Sequence, residues 1–158
     1  MRVVLTQIEM EVAALVGSRR RAESKKNGRK DRLEANDKQD AWASDIEGAA
    51  AEMAYCKWRN RYWSCGCETF HAADVGTKEQ IRWTKWPNGF CRIYKEDLDD
   101  HYFVLVTGES PVFDIRGWIS GADGKRLGPW GSPNKMPPFV HMVAQKDLHP
   151  FTNTLKML

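Results

Sequence analysis

After residue 63 the hydrophobic pattern of this chain changes period, and that change limits the folds open to it. Upstream, apolar side chains recur at helical spacing; downstream, after a Gly-Cys break, they fall in short extended runs separated by turn residues. The runs cover residues 68–75, 80–84, 90–94, 102–107 and 112–119. Trp86-Pro87-Asn88-Gly89 and Gly108-Glu109-Ser110-Pro111 supply turns that join two pairs of them. The middle of the chain is therefore expected to form a sheet.

Two helices precede it. Ile8, Val12, Leu15 and Val16 place an amphipathic helix over residues 6–26, with a basic C-terminal end that suits the helix dipole. Residues 27–44 read as a polar loop, with Ser44 or Asp45 as the N-cap of a second helix over 46–63. On that helix Ala51, Tyr55, Trp58 and Tyr62 share one face and are assigned to the core, while Lys57 and Arg61 lie one turn apart on another. Residues 120–125 read as a short helical turn and 139–143 as a last strand; between them, the Gly and Pro residues of 128–138 exclude regular structure. Helix, helix, four or five strands and an irregular tail make an α/β or α+β domain. At 158 residues and 42% hydrophobic content one domain is expected, built of an N-terminal helix and loop (1–41), a core (42–127) and a tail (128–158).

Composition removes several function classes. No apolar run is long enough to span a bilayer and the first ten residues lack a signal-peptide core, so a soluble, cytoplasmic protein is expected. The four cysteines are read as small buried thiols, because Cys65-Gly-Cys67 with His71 is a poor match to zinc spacing. The four histidines have neither a nucleophile partner nor metal-ligand spacing. The net charge is only +3, but residues 18–32 hold eight basic side chains, among them Arg19, Arg20, Arg21, Lys25 and Lys26. A polyanion would feel that field, although a solvated segment without a partner accounts for it equally well.

The chemistry-bearing residues are fewer. Hydrolysis of a phosphodiester needs charge stabilisation on phosphate oxygens and an activated water, and a hard cation held by carboxylates supplies both. Glu52, one turn after Gly48 and following Ala49, Ala50 and Ala51, would project from a helix whose small residues let its backbone approach a sheet; Glu47 lies too far around the helix to share its site. Asp74 stands where an extended run gives way to a turn, and Gln80 and Arg82, two apart on the next run, point to one face. Taken singly, Glu52 reads more readily as a surface helical glutamate and Asp74 equally well as a turn former.

Taken in order, Glu47-Gly48-x-x-x-Glu52, Asp74-Val75-Gly76, Gln80-Ile81-Arg82 and Gly117-Trp118-Ile119 resemble a small phage and prophage branch of the PD-(D/E)XK nuclease superfamily, over about residues 42–126. The resemblance implies a restriction-endonuclease-like core, a mixed central sheet flanked by helices, and Mg²⁺ or Mn²⁺ as cofactor. It makes Glu52, Asp74 and Gln80, with the Ile81 carbonyl, metal ligands, and gives Arg82 the place of the lysine. A neutral amide adds no charge to a cation site, and arginine is a poor general base, so water activation would fall to the metal or the substrate phosphate. Lys125 is a relocated lysine on this reading, or else a loop lysine in a Gly-rich turn.

The activity implied is a Mg²⁺-dependent DNA nuclease of DNA processing or recombination, with a homodimer among its forms. Arg19, Arg20, Arg21, Lys25, Lys26, Lys57 and Arg61 are the candidate phosphate contacts. Two other readings fit the same residues: a nuclease-fold DNA-binding protein without turnover, and a phage protein that acts on a host protein partner.

Overall fold

The computed structural model describes residues 1–28, 41–66, 73–132 and 139–151. Its elements are β1 (Arg2–Val4), α1 (Gln7–Lys26), α2 (Ala41–Arg59), β2 (Glu79–Thr84), β3 (Cys91–Ile93), β4 (Tyr102–Glu109), β5 (Val112–Ser120), α3 (Gly121–Leu127), β6 (Trp130–Gly131) and β7 (Val140–Val143). The fold is mixed α and β, as expected. The expected run over 68–75 falls mostly outside the described residues, as do Cys67 and His71 of the zinc reading.

α1 starts at a capping box: the Thr6 hydroxyl accepts from the Glu9 N–H at 3.3 Å, and the Glu9 carboxylate accepts from the Thr6 N–H at 2.6 Å. The face that it buries differs from the expected one. Ile8 and Leu15 are 67% and 72% exposed, whereas Ala13, Val16, Gly17 and Arg21 are buried. The cause is the closeness of α1 to α2. A Cβ on Gly17 would lie 2.5 Å from the Ile46 Cα, so only a small residue fits at the crossing; of the four expected apolar positions Val16 is buried and Ile8, Val12 and Leu15 are turned outward.

α2 begins at Ala41, so Ser44 and Asp45 lie inside the helix and are not its N-cap. It ends at Arg59, followed by Asn60 at a positive φ of 52°. Tyr62 therefore leaves the helix face assigned to it and is 88% exposed, while Trp63 is buried. Ala49, Ala50, Ala51, Ala54 and Tyr55 carry the helix onto the sheet.

That sheet has the order β1-β5-β4-β2, with β2 parallel to β4 and the other pairs antiparallel. The N-terminal strand β1, not expected from the pattern, pairs with β5, and β2 forms the opposite edge. A second sheet, β3-β7-β6, is antiparallel. One apolar cluster fills the space between the first sheet and helices α1 and α2. Cys91, Ile93, Phe103, Leu105, Ile119, Val143 and Leu148 form another on its opposite face.

Candidate active site

The edge position of β2 shapes the site, because an edge strand leaves main-chain groups unpaired. The Ile81 N–H, which points away from β4, is taken by the Asp74 carboxylate at 2.7 Å. Asp74 is brought there by a tight reversal in which Val75 and Glu79 bridge, with Gly76 at a φ of +60°. Within one strand residue the C=O and N–H point the same way, so the Ile81 carbonyl also faces the open edge.

Glu52 reaches the same edge from α2. Its carboxylate is buried and receives both ends of the Arg20 guanidinium, at 2.6 and 2.8 Å, and the Trp63 indole N–H at 3.1 Å. Arg20 is held in turn by the Gly66 carbonyl at 2.8 Å. Burial first, and then the Glu52 charge, push the Asp74 carboxyl up to about 7. Glu52 and Asp74 thus form a like-charge pair, with Arg20 and Arg82 opposing the shift.

A second buried carboxylate lies along the strand. Glu79 is 5% exposed and accepts from the Arg61 guanidinium at 3.0 Å. Cys56 lies in the field of Glu52, Glu79 and Asp74, and burial with those charges pushes its thiol up to about 12. That direction disfavours the thiolate at neutral pH.

Not all of the expected site residues meet. Ile81 joins the helix-side apolar cluster, so alternation puts Gln80 and Arg82 on the opposite face of β2, away from α2. There Arg82 makes a bidentate pair with Asp97, both contacts at 2.8 Å, donates to the Arg92 carbonyl and lies 4.8 Å from the Phe103 ring centre. Lys125, on α3, is tied to the Asp97 carbonyl and the Asp99 carboxylate rather than standing beside Glu52. Glu52, Asp74 and the Ile81 main chain thus meet at the edge; Arg82 lines the same cleft as Glu52 and its charge reaches Asp74, but its fork is held by Asp97, and Lys125 is held by Asp99.

The candidate phosphate contacts are also spoken for in part. Lys57 donates to Glu9 at 2.7 Å and to the Val4 carbonyl at 2.9 Å, and Arg61 to Glu79. Arg20 neutralises Glu52, Arg21 is buried, and Lys25 lies 5.2 Å from the Trp42 ring centre. Arg19, paired with Glu23 at 3.1 Å, keeps a side chain 70% exposed, and Lys26 is exposed. The partners Arg20, Trp63 and Glu79 carry no spacing signal toward Glu52 or Arg61, since their contacts span 32, 11 and 18 residues.

Between α2 and the chain leaving β2 lies a half-open cleft of about 360 Å³. Asp45, Gly48 and Glu52 line one side, and Trp83, Lys85, Trp86, Phe90 and Arg92 the other. A side chain at Gly48 would meet nothing within 4 Å, so the close helix-to-sheet approach belongs to the alanines and Gly48 leaves the cleft open.

The donor chemistry at the edge fits a hard cation: two carboxylates and a main-chain carbonyl, the kind of set Mg²⁺ takes when phosphate and water complete its shell. Among the described residues no group of three or more His, Cys, Asp and Glu could hold a metal, so a site here depends on two carboxylates. Among the same residues no helix is long and apolar enough to cross a membrane. No protein-family model, no curated protein and no solved structure matches the chain.

Proposed function

We propose that this protein is a Mg²⁺-dependent DNA nuclease of restriction-endonuclease-like type, with Glu52, Asp74 and the Ile81 carbonyl holding the cation. The observation that carries the reading is the Glu52–Asp74 pair. Glu52, from α2, lines the cleft at the open sheet edge, and Asp74, from the turn that leads into β2, is bound to the Ile81 N–H of that same edge, near enough for the Glu52 charge to add to burial in raising its carboxyl. When bound, the cation supplies charge neutralisation on phosphate and a more acidic water.

The chain's own residues set the conditions. Asp74 must release its proton, and burial with the Glu52 charge, which push its carboxyl up to about 7, opposes that release. Arg20 must loosen from Glu52, because its guanidinium already engages both carboxylate oxygens. Arg82 keeps its fork on Asp97 and supports the wall of the cleft, which leaves Arg20, once loosened from Glu52, as the guanidinium that would meet the charge on a bound phosphate.

A non-cleaving DNA-binding protein is the second reading, favoured by the same Arg20–Glu52 pair, in which a guanidinium takes the role of the cation. Cleavage of labelled single-stranded, duplex and branched DNA in Mg²⁺, Mn²⁺ or EDTA separates the two. Metal-dependent cleavage, lost in folded Glu52→Gln and Asp74→Asn, is the expected result. No cleavage of any substrate in either metal, with DNA binding intact, would sink the nuclease reading.

A further inference from the structure

The cleft beside Glu52 is furnished beyond what a two-carboxylate site requires. Trp86 and Phe90 are 62% and 40% exposed, although both line a concave surface. Lys85 and Arg92 line it too, and among the described residues neither makes an ion pair; the Lys85 ammonium instead lies 5.1 Å from the Trp86 ring centre. Burying two large rings would have stabilised the fold, and cations lining a groove with carboxylates nearby would ordinarily pair. Here the fold leaves both sets available.

The platform is held rather than loose. Trp86 opens a turn closed by the Gly89 N–H donating to the Trp86 carbonyl at 3.0 Å. The Gln145 amide clamps that turn from outside, donating to the Pro87 and Gly89 carbonyls at 2.7 and 3.0 Å. A pre-ordered aromatic surface loses little freedom when a ligand stacks on it.

We infer that this cleft binds a single-stranded stretch of DNA, with unpaired bases stacking on Trp86 and Phe90 and the phosphates following Lys85 and Arg92 toward Glu52. Unpaired bases offer their faces without the cost of unstacking a duplex, and aromatic side chains beside backbone-tracking cations are the chemistry of single-strand grooves. The half-open cleft, about 360 Å³, is large enough to admit a base and its sugar-phosphate. Identification of the bound strand as the substrate rests on the nuclease reading above, while binding itself is measured without cleavage.

The test is the affinity of the full chain, in EDTA, for a labelled thymidine oligonucleotide and for a duplex of the same length, by fluorescence anisotropy over a salt series. Tighter binding of the single strand is expected, weakened by about 10-fold or more in Trp86→Ala. Lys85→Ala and Arg92→Ala should each lower the slope of log affinity against log salt by about 0.7. Gly48→Leu, whose Cβ starts in open space, should weaken binding by filling the cleft, and a melt beside the parent separates that loss from unfolding. Duplex bound as well as single strand, or Trp86→Ala and Gly48→Leu both binding like the parent, would overturn the inference. If those variants lose single-strand binding but the parent never cleaves DNA, only the nuclease reading falls. Cleavage by a protein whose single-strand binding ignores both variants has the opposite meaning.

Discussion

Replacing Arg20 with alanine removes the only guanidinium seen on the Glu52 carboxylate among the described residues, and the size of the effect follows from burial. The Glu52 and Arg20 side chains are 9% and 23% exposed, so the pair is largely desolvated. Removing one partner of a buried pair costs about 3–5 kcal/mol; the Trp63 hydrogen bond that remains, and the partial exposure of Arg20, argue for the lower end, about 3 kcal/mol. For a chain of 158 residues that is a fall in Tm of about 6–12 °C. The loss should be smaller in the double variant with Glu52→Gln than the sum of the two single losses, because neither then leaves a buried charge. If Glu52 and Asp74 hold a divalent cation, Mg²⁺ should stabilise Arg20→Ala more than the parent, since Arg20 no longer competes; at about 100 times the Kd the gain is about 2.7 kcal/mol. Thermal melts in EDTA and in a Mg²⁺ series read both quantities. A variant melting within about 2 °C of the parent would refute the buried-pair argument. A drop that Mg²⁺ repairs no better than it stabilises the parent would refute the competition between guanidinium and cation.

Other outcomes follow from the same geometry. Because the folded Asp74 carboxyl is raised to about 7 from its ordinary 3.8, the folded state holds a proton that the unfolded chain has released, so stability in EDTA should fall as pH rises from about 4 to about 7. Asp74→Asn should flatten that slope in urea titrations at several pH values, and an unchanged slope would place the titration elsewhere. Arg82→Lys keeps the charge but loses the two-pronged contact with Asp97, and should cost about 1–2 kcal/mol in urea unfolding; parent-like stability would mean that the fork adds nothing. The same change, Gly to Ala, should have opposite signs on the two long helices. At Gly17 the new Cβ meets the α2 main chain at 2.5 Å and should destabilise by about 1–3 kcal/mol, whereas at Gly48 it meets open space and should stabilise by about 0.5–1 kcal/mol. Equal effects at both would contradict the close crossing of α1 and α2.

Local chemistry was legible in the residue order. The α1 helix, the Trp86–Gly89 turn, the hairpin of β4 and β5, the helical turn after Ser120 and the final strand all follow from periodicity, turn residues and caps, which act over a few residues. Glu52 and Asp74 were singled out by the order of motifs, but that both act at the edge strand β2 was not in that order. What tertiary structure decided is which side of each element faces inward and which charge meets which. Ile8 and Leu15 carry the stronger hydrophobic signal on α1, yet Ala13 and Gly17 are inside, because helix separation rewards small side chains. Arg20 and Arg61 sit among basic residues that read as phosphate contacts, yet in the fold they meet Glu52 and Glu79. β1 shows no pattern of its own in three residues and is a strand because the edge of β5, more than a hundred residues later, offers unpaired main-chain groups. Periodicity is a property of neighbours along the chain; an ion pair or an edge pairing is chosen by whatever the completed fold brings within reach.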